Sequence, residues 1–382
     1  MTGTEGKFAL EALDPALLFR LLVYAPGHVP RFSDDYVDPQ LGEAKLDLEA
    51  RDLDRLPPER VLRGRVVDAH GDPIAHAVLE PKGKKMGRGG RFGALRDVDT
   101  LSMSDEKGEF ALACSKPDET LLLFVSARAF AAQMTPWITA GGERETITLD
   151  RGVTVTGVVQ KDGQPLGGVE LGFKQQDPAA ETYVGDRTVG TTSDGRFTFV
   201  NVPANDACFL YGLVASFKAH GSLSSRPVKT GAPETTVDVG VLALEPGLRF
   251  AGHIQLSGGT LMPSGAKLLL GRESAWDAPV AEVGEDGSFA FDGLPAELYS
   301  LTSMVPGYAV SSKNGSFDFL NGPGLLGRLE GDERDVVLLL EPDAEPFELP
   351  APDKGVFERY EALKKAPLRG LAREARAEAR AR

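Results

Sequence analysis

Five histidines, His28, His70, His76, His220 and His253, are the first residues to weigh for acid–base or metal chemistry. His70 and His76 flank one expected turn, but no cysteine or His-Glu-x-x-His spacing stands beside them. They are expected at the surface, not as zinc ligands. Residue counts do not exclude a Ser-His-Asp hydrolase, because a triad assembles in space. The Gly-x-Ser-x-Gly elbow is nevertheless missing, and short alternating strands are not the fold that carries it. Asp34, Asp35 and Asp38, and likewise Asp97 and Asp99, are clustered acids without the EF-hand order of oxygens, so solvated loop acids are expected.

The segment Gly83-Lys84-Lys85-Met86-Gly87-Arg88-Gly89-Gly90-Arg91 is basic and glycine-rich like a phosphate loop. It lacks the Gly-x-x-x-x-Gly-Lys-Ser/Thr order and leads to no helix, so it reads as a mobile hairpin loop. A local patch for an anionic ligand is the subordinate reading. Trp137, in Thr135-Pro136-Trp137-Ile138, and Trp276, in Glu273-Ser274-Ala275-Trp276-Asp277, are the only tryptophans. A planar side chain suits the apolar face of a sugar, which makes both residues candidate glycan contacts, Trp276 foremost. The competing reading folds the Trp276 ring back onto its own domain. No catalytic residue, cofactor site or metal site is expected.

The elements that would position these residues repeat along the chain. Arg63-Gly64-Arg65-Val66-Val67-Asp68, Thr156-Gly157-Val158-Val159-Gln160-Lys161 and Ala251-Gly252-His253-Ile254-Gln255-Leu256 open three units alike. The first two continue through Gly71-Asp72-Pro73-Ile74 and Gly163-Gln164-Pro165-Leu166 into a second apolar run, and the third follows loosely. This is strand, tight turn, strand. A second signature recurs as Asp105-Glu106-Lys107-Gly108-Glu109-Phe110, Ser193-Asp194-Gly195-Arg196-Phe197 and Glu285-Asp286-Gly287-Ser288-Phe289. Its glycine supplies a positive φ, and the aromatic residue two positions on starts a strand that points inward. Gly64 to Gly157 is 157 − 64 = 93 residues and Gly157 to Gly252 is 252 − 157 = 95, close to the roughly 100 residues of an immunoglobulin-like sandwich.

Thr4-Glu5-Gly6-Lys7-Phe8-Ala9-Leu10 is the second signature again, so residues 1–57 read as the C-terminal half of a truncated sandwich. A half sandwich exposes unpaired strand edges. Either its missing strands belong to a longer chain, or a partner completes it at the edge of residues 5–50. Full modules are expected over 58–151, 152–247 and 248–343. Residues 344–382 read as a Pro-rich linker followed by a charged tail, helical in propensity but with little apolar stripe to bury. The joints Asp150-Arg151-Gly152 and Glu245-Pro246-Gly247 are short, which favours a semi-rigid rod.

Bulk properties agree. A chain of 382 residues suits three or four domains. A formal charge of −14 argues against nucleic acid as a partner. No stretch approaches the roughly 20 apolar residues of a membrane span, and Met1–Leu10 shows no signal-peptide pattern. Cys114 and Cys208 fall in different units and read as small core residues.

Gly64-Arg65-Val66-Val67-Asp68 … Gly71-Asp72-Pro73-Ile74 … Gly108-Glu109-Phe110, and more fully Gly157-Val158-Val159 … Asp162-Gly163-Gln164-Pro165-Leu166 … Asp194-Gly195-Arg196-Phe197, resemble the carboxypeptidase regulatory-like domain. The resemblance implies an all-β tandem array of antiparallel transthyretin-like, starch-binding-like β-sandwiches with a short, partly helical C-terminal tail. It also implies a non-catalytic accessory outside the cytoplasm: extracellular, periplasmic or at the cell surface. Three functional classes follow. The leading one is a structural or interaction spacer within a larger extracytoplasmic protein, with a protein or polysaccharide partner. A carbohydrate-binding array is the alternative, and an enzyme with a site assembled between modules is the outsider.

Overall fold

Each repeat brings its two signatures face to face. Gly64 lies opposite Phe110, Gly157 opposite Phe197 and Gly252 opposite Phe289, in the same antiparallel register three times. The glycine is needed because a Cβ at Gly64 would sit 2.6 Å from the Phe110 ring and one at Gly157 would sit 2.7 Å from the Phe197 ring. All three phenylalanines are buried. Bare backbone on one strand therefore makes room for an aromatic ring carried by its neighbour. The turn glycines Gly108, Gly195 and Gly287 have φ of 76°, 74° and 84°. Their carbonyls accept from the amides of Val66, Val159 and Ile254, each at 2.8 Å.

These contacts build three β-sandwiches in a computed structural model that describes residues 6–11, 13, 17–33, 36–40, 45–87, 89–93, 95–176, 188–311 and 324–343. In each sandwich an opening strand (Val61–Asp68, Val153–Lys161, Leu248–Leu256) pairs antiparallel with a return strand (Glu109–Ala113, Arg196–Val202, Ser288–Leu294). On its other edge a closing strand (Glu145–Leu149, Thr236–Ala243, Glu333–Pro342) runs parallel to it. That is one parallel pair per sandwich. It arises because the closing strand is reached by a long connection and not by a hairpin.

The facing sheets are antiparallel. The first contains Val78–Met86, Gly89–Phe92 and Thr120–Ser126, the second Glu170–Gln175 and Ala207–Gly212, and the third Lys267–Arg272 and Leu298–Met304. Alternation fills the space between the sheets. Val153, Val155 and Val159 point into the second core with Phe173, Phe197 and Phe199. Leu62, Val66, Leu79, Leu121, Leu123 and Val125 build the first core, and Phe250, Leu268, Leu270, Phe289, Phe291 and Leu338 the third.

Before the first sandwich the chain forms a two-stranded ribbon, Leu22–Val23 with Arg31–Phe32. Phe8, Leu10, Leu17 and Tyr36 are exposed around it. The Arg51 guanidinium grips Asp99 through two bonds of 2.7 and 2.6 Å, which fixes this segment to the first sandwich. The tail from 344 onward, with the helix expected there, lies outside the described residues.

Candidate functional site

Two places gather side chains whose arrangement exceeds what a sandwich needs. The first is the basic glycine-rich segment. It is not a loose loop, for residues 83–86 pair with 89–92 as a ladder: Gly83 with Phe92, Lys84 with Arg91, Lys85 with Gly90 and Met86 with Gly89. Two features hold it. Lys84 is drawn inward, and its ammonium donates to Asp97 Oδ2 and Glu119 Oε1, both at 2.5 Å. Burial alone would pull the Lys84 pKa down, but the bonds to Asp97 and Glu119 outweigh it and hold the ammonium above its ordinary value. The Lys84 ammonium in turn keeps the Asp97 carboxyl below the usual carboxylate range.

Trp137 lies on the opposite face of the ladder from Lys84. A Cβ at Gly83 or at Gly90 would lie 3.2 Å from the Trp137 ring. Phe92 stands beside it, centroid to centroid 6.0 Å at 59°. Trp137 is 38% exposed and Phe92 65% exposed, so the pair forms an outward-facing aromatic surface.

The second place is the contact between the second and third sandwiches. Leu268, Leu270 and Arg272 alternate inward along the strand Lys267–Arg272, which puts a cation where an apolar residue belongs. The Arg272 side chain is 0% exposed. Within the third sandwich it donates to Glu297 through Nε (2.9 Å) and Nη2 (3.0 Å), and to Asp277 through Nη1 (3.2 Å). Across the junction it donates to the carbonyl of Gly212 (2.7 Å) and the hydroxyl of Ser225 (3.2 Å), and it lies 5.6 Å from the Tyr211 ring centroid. Its carboxylates cross as well: Asp277 accepts from the Val214 amide at 2.6 Å, and Glu297 accepts from the Ser225 amide. Burial opposes the charge, but Glu297 and Asp277 outweigh it, so Arg272 stays protonated above its ordinary value. The single helical turn Val214–Phe217 completes the joint, with Phe217 in the second core and Val214 in the third.

The remaining candidates separate. Trp276 is half-buried in the Arg272–Asp277 segment and makes no aromatic platform with Trp137, which belongs to another sandwich. His70 and His76 are exposed, and His76 Nε2 lies 3.4 Å from Glu106. Asp97 and Asp99 are taken by Lys84 and Arg51, while Asp38 caps the amide of Gln40. Asp34 and Asp35 lie outside the described residues. Among the described residues no group of His, Cys, Asp or Glu is placed to hold a metal ion, and no helix is long and apolar enough to cross a membrane. Cys114 and Cys208 are free and buried, and burial pushes both thiols up to about 12.

No family model and no curated protein matches the chain. Similar solved structures include the Bacillus anthracis TIE protein, at 10% identity over 82% of this chain with a TM-score of 0.22. This chain covers 54% of that protein, about half its length. A streptococcal ancillary pilin is 14% identical over 75% of this chain and all of its own, with a TM-score of 0.26. The minor pilin of Streptococcus agalactiae is 14% identical over 52% of this chain and all of its own, with a TM-score of 0.25. At such scores the likeness adds nothing to the all-β description that the sheets already give.

Proposed function

We propose that this chain is a non-catalytic spacer and binding element of a larger extracytoplasmic protein, built of carboxypeptidase regulatory-like sandwiches. The observation that carries the reading is the Arg272 junction. A fully buried guanidinium shared between two sandwiches is costly to desolvate, and it serves to fix one domain on the next. A spacer needs that rigidity. A site assembled between these two sandwiches would need open space where Arg272, Glu297 and Asp277 already satisfy one another. The repeated glycine–phenylalanine register supports the family assignment, and the location outside the cytoplasm rests on that resemblance. The N-terminal ribbon, with its exposed apolar residues beside a cavity of about 870 Å³, is where the same reading seats a partner's strand.

Small-angle scattering of the full chain tests the spacer directly. An elongated particle is expected; a compact globe contradicts end-to-end stacking. Fractionation of the native cells tests the location, and recovery with cytosolic markers would overturn it. The carbohydrate-binding alternative keeps one specific support, the exposed Trp137–Phe92 pair.

A further inference from the structure

We propose that the outer face of the first sandwich binds an acidic polysaccharide, one whose sugars carry carboxylates, on the Trp137–Phe92 pair with Lys85 beside it. This rests on the carbohydrate-binding alternative and names the ligand class for that surface.

Three observations converge. The first is the bare floor beneath the rings. Glycine weakens a strand, yet Gly83 and Gly90 both stand in a paired ladder under the Trp137 ring. Any side chain at either position would press on Trp137 and Phe92, at 3.1–3.3 Å. The arrangement lets a large ring lie along the strands while one side of it stays open to solvent. An indole meant only to fill a core would be buried between the sheets.

The second is charge. Residues 80–92 contain five cations, Lys82, Lys84, Lys85, Arg88 and Arg91, against one acid, Glu80, a balance of 5 − 1 = +4 in a chain of net −14. A polyanion is repelled by most of such a surface and directed to the exception. Strand pairing then sorts these cations. Lys84 is spent internally on Asp97 and Glu119, and Lys82 pairs with Glu80. Lys85 stands opposite Gly90 and thus on the same face as Gly83 and Phe92; it is exposed and makes no ion pair among the described residues. Arg91 is exposed as well, but it pairs with Lys84 and so stands on the opposite face of the ladder.

The third is continuity. Leu122 and Phe124 are half-buried on the outward side of the adjoining strand, and the Lys82 ammonium lies 5.7 Å from the Phe124 ring centroid. The apolar strip therefore runs from Phe92 across Gly83 to Leu122 and Phe124 on the adjoining strand.

Sugar rings offer an apolar face to an aromatic plane, and a uronate offers a carboxylate to a neighbouring ammonium. Single-stranded nucleic acid also stacks on aromatic rings. It carries a phosphate at every nucleotide, however, and needs a basic groove along its backbone, which one hairpin on an acidic protein does not supply.

The experiment uses the full chain with Trp276→Phe, so that Trp137 alone reports by fluorescence, and confirms each titration by calorimetry. The probes are polygalacturonate, neutral amylose and xylan, a single-stranded oligonucleotide and polyglutamate. Polygalacturonate is expected to bind and to shift the Trp137 emission, with affinity falling at high salt. Trp137→Ala, and separately the surface variant Lys85→Glu, should each weaken it about tenfold or more, in line with loss of a stacking or a charge contact. Amylose or xylan binding as tightly as polygalacturonate would overturn the acidic class while leaving the carbohydrate reading standing. Binding of no polysaccharide would end both. Tighter binding of the oligonucleotide or polyglutamate would overturn the proposal in favour of that polymer, and undiminished binding by both variants would remove the surface as the site.

Discussion

The two joints between sandwiches have linkers of similar length, Asp150-Arg151-Gly152 and Glu245-Pro246-Gly247, and quite different construction. At the first, contacts run through the linker itself. Arg151 lies over the Phe130 ring at 4.4 Å and reaches Glu234 at 3.8 Å, with both charged side chains largely in solvent. At the second, Arg272 is withdrawn from solvent entirely and binds backbone of the neighbouring sandwich, and Val214 enters the neighbour's core. Linkers of equal length therefore carry quite different contacts. What separates the joints is whether residues far from the linker build a shared, desolvated contact, and exposed pairs are screened far more than buried ones.

The largest expected effect comes from breaking the second joint. Arg272→Ala leaves Glu297 and Asp277 without a countercharge in a largely dry site, and chemical denaturation should show a loss of about 3–5 kcal/mol confined to the second and third sandwiches. The same measurement on Arg272→Met/Glu297→Leu/Asp277→Leu should recover much of that stability, since apolar replacements of buried ion clusters are often neutral. Full stability in Arg272→Ala would mean that the junction opens without cost. Val214→Ala removes the residue that the second sandwich lends to the third core. It should lower the third sandwich's stability by about 2 kcal/mol and leave the first unchanged.

The first sandwich offers a contrast in acid. Asp97, held low by Lys84, contributes stability that is present above the ordinary carboxylate pKa of about 4 and is lost as pH falls through its lower folded value. Thermal melts below pH 4 should therefore show a midpoint decline that Asp97→Asn makes shallower, other lowered carboxylates such as Asp194 and Asp332 supplying the rest; an unchanged decline in the variant would remove Asp97 as a source. The smallest effect belongs to Arg151→Ala at the first joint, about 0.5–1 kcal/mol, for an exposed ion pair and one cation–π contact. A loss as large as that of Arg272→Ala would erase the distinction between the joints.

Much of the fold was legible because it depends on local chemistry. The glycine two residues before Phe110, Phe197 and Phe289 demands a left-handed turn; Gly64 and Gly157 mark strands where a ring comes close, and Gly252 one where the backbone of Val336 does. Such constraints sit within a few residues and repeat. The parallel closing strands are less visible, since direction depends on the path of a long connection. The Arg272 joint is not legible in the sequence because its partners, Gly212, Ser225, Asp277 and Glu297, are scattered over 86 positions (297 − 212 + 1). One signal was present: Leu268, Leu270 and Arg272 share a strand face, so alternation alone placed the cation inward. At the first sandwich the sequence shows Trp137 and the basic hairpin only as separate features. Only the ladder, which sets Gly83 opposite Phe92 and Gly90 opposite Lys85 under the indole, joins them.

Pulsed dipolar spectroscopy can compare the stiffness of the two joints, because Cys114 and Cys208 are buried and labels can be attached to cysteines introduced on the surface. Labels at Lys229→Cys and Glu282→Cys span the second joint, and labels at Lys116→Cys and Lys229→Cys span the first. A narrow distance distribution is expected across the second joint and a broader one across the first, with Arg272→Ala broadening only the second. Equal widths at both joints, or a second joint whose width ignores Arg272→Ala, would contradict the account.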